Sequence, residues 1–304
     1  MACNAAVKVV LRSRRQQRLS ACFDNEREKL MTTESTPRYG NEAVAPNVSL
    51  YYQYFESQQP GPCTVLMHSL AMDHSFWRSV APALAKEGPV LCVDLRGHGR
   101  SSKPQGPYSI AGMAADVRTL LDHLKIDQVI VAGASMGGCV ALQFAIDNPD
   151  ITRALGLIDT TSWYGENAAA DWANRAAKAR LEGFGSLVGF QQTRWFGEPF
   201  RERHPQIVQE CVDVFLANDL DGYEGACHAM GAFDARAKLA GLRMPVSIVV
   251  GTEDYATPVA MAEALYQGIP GSRMKTIEGA RHLTPLEVPH EITRMLSALR
   301  GRVQ

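Results

Sequence analysis

Residues 128–139 read QVIVAGASMGGC. Residues 129–132 (VIVA) form a short, β-branched apolar run, the pattern of a strand buried on both faces. Residues 138–147 (GCVALQFAID) repeat their apolar side chains at helical spacing. Between the two lies Gly133-Ala134-Ser135-Met136-Gly137, a G-x-S-x-G in which a strand must turn sharply into a helix. That turn leaves the central serine strained, with its hydroxyl exposed at the carboxyl edge of a sheet. Glycines two before and two after Ser135 leave room where a side chain would clash across the turn. The following helix brings its positive end and free N–H groups beside the hydroxyl. Ser135 is therefore read as a nucleophile rather than a turn residue.

The pattern continues outward on both sides. Residues 48–55 (VSLYYQYF), 63–68 (CTVLMH) and 89–95 (PVLCVDL) read as strands, as do 154–158 (ALGLI), 246–250 (VSIVV) and 274–277. Helical spacing marks 74–85, with Trp77, Val80 and Leu84 on one face, and 110–124. Strands alternating with helices predict an α/β fold: a mostly parallel central sheet covered by helices on both faces, with ligands at the strands' carboxyl ends. Residues 161–237 break the rhythm. They carry helical segments at 168–181 and 206–217 and many aromatics, with no buried-strand pattern, and so predict a helical cap inserted into a core of residues 37–160 and 238–304.

The chain has 304 residues, 46% of them hydrophobic and 21% charged, with a formal net charge of −1. That balance argues against nucleic acid or a membrane surface as the main partner, and no run approaches a membrane span. Seven cysteines without C-x-x-C spacing suggest buried free thiols in a reducing, cytoplasmic setting rather than disulfides or zinc. Residues 1–36 are set apart. Up to Phe23 the chain is basic and free of acids. The segment is read as an unstructured extension, or an upstream start before Met31, in preference to a transit peptide. Whether the chain forms a homo-oligomer is left open.

A serine hydroxyl needs a base to take its proton and an acid to orient that base. In folds carrying this strand–serine–helix turn, the order along the chain is Ser, Asp/Glu, His. Asp254 follows the strand at 246–250 and His282 follows the strand at 274–277, so these two are nominated. Glu253 and Asp159 compete with Asp254 for the acid's place. The oxyanion calls for two backbone donors: Met136, next to the nucleophile, and Leu70, in the loop after the strand at 63–68. His68 and Ser69 are read as shaping that loop, with His68 also counted among substrate-side candidates. Asp94 is expected to fix the glycine-rich loop at 97–99.

With these residues in place, the chain resembles the α/β-hydrolase superfamily from about Pro37 to Leu299. Within it the chain is similar to the 3-oxoadipate enol-lactonases. The segments that carry the likeness are His68-Ser69-Leu70-Ala71-Met72-Asp73 with Phe76-Trp77, Asp94-Leu95-Arg96-Gly97-His98-Gly99, Gly106-Pro107-Tyr108-Ser109-Ile110 and Ser135-Met136-Gly137-Gly138. Lys178-Ala179-Arg180-Leu181-Glu182-Gly183 and Arg194-Trp195-Phe196 extend it into the cap. No metal cluster, nucleotide loop or flavin fingerprint stands in the sequence, so no cofactor and no metal are expected, and the resemblance implies a hydrolase opening a small carboxylate-bearing lactone. Arg180 and Arg194 would meet the substrate's charge, with Trp163 and Trp195 as further substrate-side candidates. Three positions depart from the family's habit: His68 where Asn is common, Ala71 where Gly is common, and Arg281 where a small residue precedes the histidine. Competing readings are a neutral carboxylester or C–C hydrolase, a cofactor-free perhydrolase, and a non-catalytic ligand-binding member.

Overall fold

The structure, a computed structural model, describes residues 36–303. The reading of the basic extension therefore lies outside the described residues, as do Cys3 and Cys22. Residues from Pro37 onward form one compact unit. It is built on eight strands: β1 (Arg38–Ala45), β2 (Val48–Phe55), β3 (Cys63–Met67), β4 (Val90–Val93), β5 (Val129–Ala134), β6 (Thr152–Ile158), β7 (Val246–Gly251) and β8 (Arg273–Ile277). They lie side by side in the order β1-β2-β4-β3-β5-β6-β7-β8. β2 runs antiparallel to both β1 and β4, and every other pairing is parallel. All side chains of β3, β4, β5 and β7 are buried. Because successive strand residues point to opposite faces, this means the sheet is covered on both sides.

Strand order reverses between β3 and β5, with β4 lying outside β3 and β6 outside β5. A crevice opens at the carboxyl ends of strands at such a reversal. The 68–73 loop leaves β3 there and Ser135 leaves β5 there. Helices α1 (Ala81–Leu84), α2 (Ile110–His123) and α3 (Met136–Asp147) belong to the first half of the sheet. Helices α9 (Val259–Gly268), α10 (Thr284–Glu287) and α11 (Pro289–Arg300) belong to the second.

Between β6 and β7 come five further helices: α4 (Ala168–Glu182), α5 (Val188–Trp195), α6 (Glu198–Arg203), α7 (Pro205–Leu216) and α8 (Leu220–Gly231). They share an aromatic core in which Phe184 meets Phe215 and Tyr223 edge-on, at 5.3 and 5.1 Å, and Trp195 meets Phe215 at 5.5 Å. Asn218 in this insertion donates from Nδ2 to the carbonyl of Ala71 at 2.9 Å. The insertion is thus tied to the loop that leaves β3.

Two elements differ from the reading of the sequence. β1 is an edge strand with exposed or half-buried side chains throughout (RYGNEAVA), so it has no apolar run to announce it. It is held by a tight turn at Pro46-Asn47, with Asn47 in the left-handed region (φ 61°). The helix expected over 74–85 is split into a 3₁₀ turn, His74–Trp77, and the short α1. Pro82 sits in the first turn of α1, where a missing N–H is harmless, but it cannot donate into a helix continuing from residue 74.

Where α3 meets β3, a Cβ built on Gly137 would lie 2.2 Å from the Met67 carbonyl oxygen and 2.5 Å from that of His68. Only backbone lies in the way, so Gly137→Ala must push β3 and α3 apart. Thermal denaturation of this variant should show Tm lowered by roughly 5–10 °C, as overpacking by about 2–3 kcal/mol implies. An unchanged Tm would mean that this approach is not a constraint.

Candidate active site

Ser135 follows β5 directly and caps α3 with φ 54° and ψ −118°, a backbone conformation costly for any residue with a Cβ. Its neighbours hold it there. Its N–H donates to the Ile158 carbonyl at 2.9 Å, and its carbonyl accepts from Thr160 Oγ1 at 2.7 Å. Gly133 is required as well, since a Cβ there would lie 2.1 Å from the Gly137 oxygen.

His282 reaches this serine from the loop after β8. Its Nε2 lies 2.9 Å from Ser135 Oγ, and its Nδ1 lies 2.8 Å from Asp254 Oδ2. Asp254 comes from the loop after β7, and its carboxylate is saturated. Oδ1 accepts from the amides of Ala256 (2.7 Å) and Thr257 (3.0 Å), and Oδ2 also accepts from Thr257 Oγ1 (2.8 Å). With an acceptor-only carboxylate at Nδ1, the ring's proton belongs on Nδ1, leaving Nε2 free to accept from the serine. Burial alone would raise Asp254, but His282 and the Thr257 hydrogen bonds outweigh it and hold the carboxyl below the usual range.

The two competing acids are accounted for. Glu253 turns outward, with Oε2 3.3 Å from Arg281 Nε. Asp159 is fully buried and takes the Thr284 amide at 3.1 Å and Thr284 Oγ1 at 2.6 Å on Oδ2. Burial, with the charge of Asp254 adding to it, pushes Asp159 well above the carboxylate range. It braces the ends of β6 and β7 against α10.

Leu70 lies in the loop after β3, and Met136 follows Ser135. Met136 is the first residue of α3, so its N–H has no intrahelical acceptor. Among the described residues the Leu70 N–H makes no backbone hydrogen bond. Among the described residues neither amide has a backbone acceptor.

The substrate-side candidates have the following surroundings. His68 is fully buried with both ring nitrogens engaged: Nε2 accepts from the Leu95 amide at 3.0 Å, so Nδ1 donates to the Ser69 carbonyl at 2.8 Å. It pins the loop and cannot face a ligand. The half-buried Trp163 ring is covered by the Arg236 guanidinium at 3.5 Å. Trp195 is buried in the aromatic core of the insertion. Arg180 is bound to Asp221 and Glu224 and has no charge to spare. Arg194 is half-buried in the insertion. Burial lowers its guanidinium to about 10, the charge of Arg175 adds to this, and Asp254 opposes it. Asp94 fixes its loop as expected, accepting from the Arg100 amide (2.8 Å) and the His74 amide (2.6 Å).

Tyr164 went unnoticed in the sequence. Its hydroxyl lies 3.6 Å from Cys139 Sγ and faces the Ser135 side chain, and burial pushes its phenol far above the usual value. The one signal in the sequence is its position just past β6, next to Trp163. Adjacent residues in extended chain point to opposite sides.

Among the described residues no group of His, Cys, Asp and Glu could hold a metal ion, and no helix is long and apolar enough to cross a membrane.

Comparison with known proteins agrees with this fold. Residues 64–289 match the sequence pattern of the alpha/beta hydrolase fold family. The chain belongs to that family. It is 33% identical over 259 residues to 3-oxoadipate enol-lactonase 2 of Acinetobacter baylyi, covering 85% of this chain and 96% of that protein. The crystal structure of the enol-lactonase from Burkholderia xenovorans superimposes with a TM-score of 0.81 at 33% identity, covering 86% of this chain and 99% of that one. A thermophilic esterase from Thermogutta terrifontis, solved with malate bound, gives 0.81 at 27% identity over 88% of this chain and 100% of that one. This α/β hydrolase is accordingly an enzyme.

The loop carrying His282 is latched to the insertion. Glu287 accepts from the amides of Arg281 (2.7 Å) and Gly197 (2.9 Å), and Leu283 N–H donates to the Trp195 carbonyl at 3.1 Å. The Arg281 side chain adds bonds to the carbonyls of Thr193 (2.5 Å) and Phe196 (3.3 Å). Glu287→Ala strands two amides, at about 1–3 kcal/mol each, and should lower Tm by roughly 5–10 °C. Glu287→Gln, which keeps one acceptor, should lower it by less. Equal Tm values for the three proteins would remove the latch from consideration.

Proposed function

We propose that the chain is a serine hydrolase that opens a small lactone, or cleaves a small ester, through an acyl-enzyme. Its favoured substrate class is a carboxylate-bearing enol-lactone such as that of 3-oxoadipate. The observation that carries this reading is the unbroken chain Ser135–His282–Asp254, at 2.9 and 2.8 Å. The enol-lactonase relatives support the substrate class, and the placement of Arg194 agrees with an anionic group. The helices at 161–237 act as a cap that walls the crevice.

In the first step Ser135 Oγ attacks the lactone carbonyl while His282 Nε2 takes its proton, and Asp254 stabilises the imidazolium through Nδ1–H. The oxyanion is met by the amides of Leu70 and Met136. Collapse breaks the ring C–O bond, and His282 returns its proton to the leaving oxygen. For an enol-lactone the leaving group is an enol, which tautomerises to a ketone and makes ring opening irreversible. The leaving group stays tethered to the acyl chain. A water then gives its proton to His282 as it attacks the acyl carbon, and on collapse Ser135 Oγ departs and takes that proton back from His282.

A pH-stat comparison of the 3-oxoadipate enol-lactone with neutral lactones and short esters of similar size tests this reading. Ser135→Ala should abolish turnover. Asp254→Asn should lower kcat about 10⁴-fold, as loss of the orienting acid does in such triads, whereas Asp159→Asn should cost less than about tenfold. The anionic lactone should be preferred by about a hundredfold in kcat/KM, or about 2.7 kcal/mol of transition-state discrimination. A preference for neutral esters with Ser135→Ala inactive would leave a carboxylesterase. Peroxide-dependent turnover exceeding hydrolysis would make the chain a perhydrolase, and full activity in Ser135→Ala would sink the serine mechanism.

A further inference from the structure

Cys139 stands one turn into α3, and its amide donates to the Ser135 carbonyl at 3.1 Å. A helical side chain leans back over the turn before it, so the Cys139 thiol points along the helix toward Ser135. The Tyr164 hydroxyl meets that thiol at 3.6 Å. It therefore stands over the first turn of α3, where the Ser135 side chain is its other hydrogen-bonding neighbour.

The chain that carries the phenol is pinned. Thr161 Oγ1 accepts from the Trp163 amide at 3.1 Å and donates to the Trp163 carbonyl at 2.8 Å. The Ser162 carbonyl accepts from the Ala235 amide at 2.9 Å. The Tyr164 ring itself meets Trp172 of α4 edge-on at 5.3 Å. A donor fixed in advance needs no reorganisation when charge appears beside it.

The neighbouring bonds leave the phenol's proton without a strong acceptor. Thr160 Oγ1 donates to the Ser135 carbonyl at 2.7 Å, and the Cys139 thiol donates to the Thr161 carbonyl at 3.5 Å. That leaves only the sulfur, a weak acceptor, for Tyr164. Burial holds the phenol far above its ordinary value, so it keeps its proton at neutral pH. Within the triad, Ser135 Oγ has a base in His282 but no donor, and the oxyanion amides serve the substrate's carbonyl oxygen, a different atom. Charge builds on Oγ as His282 takes its proton, and builds there again when the acyl-enzyme breaks.

We propose that Tyr164 is a fourth catalytic residue, whose phenol donates a hydrogen bond to Ser135 Oγ while that oxygen carries charge. The proposal rests on the serine-hydrolase reading and deepens it. The serine's proton still passes to His282 Nε2, and Tyr164 keeps its own. Hydrogen bonds to charged oxygens are roughly twice as strong as those between neutral groups, so the contact tightens where the reaction is slowest. An interaction stronger in the transition state than at rest raises the rate of chemistry and leaves binding alone.

Diisopropyl fluorophosphate reports the first step by itself: Oγ forms a P–O bond, fluoride leaves, and the serine proton passes to His282. Labelling of the full chain over a range of reagent concentrations gives a limiting rate and a half-saturating concentration. Tyr164→Phe, which keeps the ring and its contact with Trp172, should lower the limiting rate at least about tenfold. Its half-saturating concentration should stay within about twofold of the parent's, and its Tm should match. With p-nitrophenyl acetate, kcat should fall by a similar factor at unchanged KM. Cys139→Ala should stay within about threefold of the parent on both rates. A folded Tyr164→Phe that labels within about threefold of the parent would overturn the role of Tyr164 and leave the triad in place. Equal losses in Cys139→Ala and Tyr164→Phe would assign the hydroxyl to the thiol and overturn it as well. A parent unlabelled at Ser135 would refute the hydrolytic reading, and the proposal with it.

Discussion

The close approach of α3 to the end of β3 is the constraint on which the site depends. With no side chain at Gly137, its backbone can lie against the carbonyls of Met67 and His68. That contact sets how sharply the chain must turn after β5. The turn is bought with a positive φ at Ser135, stabilised by the hydrogen bonds of its own peptide to Ile158 and Thr160. The same approach brings the Met67–His68 backbone against the first turn of α3. One steric requirement thereby sets the Ser135 hydroxyl against the chain that leaves β3.

Two buried carboxyls below that turn are driven apart by their surroundings. Asp254 has His282 and three donors, so it is held as an anion. Asp159 sits deeper, already facing the charge of Asp254, and its carboxyl is held up toward the neutral form. Acids pushed in opposite directions within one site commonly divide the work between them. Here the charged one meets the imidazole, and the other ties β6 to α10.

Much of this was legible because it is local. A β-branched run, a G-x-S-x-G and a helical repeat occupy 20 consecutive residues, 128–147, and the order Ser135, Asp254, His282 needs no contact map. The edge strand β1 was not legible because half-exposed strands leave no apolar run, and the split after Trp77 turned on a single residue, Pro82. Substrate-side residues were harder for a different reason. Arg180 and Arg194 look alike in sequence, but Arg180 finds its partners 41 and 44 positions later, at Asp221 and Glu224. Arg194 finds none among the described residues. Trp163 and Tyr164 are neighbours whose side chains diverge, and His68 looks catalytic until both its nitrogens are traced to backbone. Long-range pairing decides which polar side chains remain free for a ligand, and spacing carries little of it.

The most direct test of the central claim, that this turn carries an activated serine, is peptide mapping by mass spectrometry after brief treatment with a fluorophosphonate. Such a reagent forms a P–O bond to an activated hydroxyl and releases fluoride. The expected result is a single adduct on Ser135, absent from Ser135→Ala and much slowed in Asp254→Asn. Labelling elsewhere with Ser135 untouched, or equal labelling of the parent and Asp254→Asn, would contradict it.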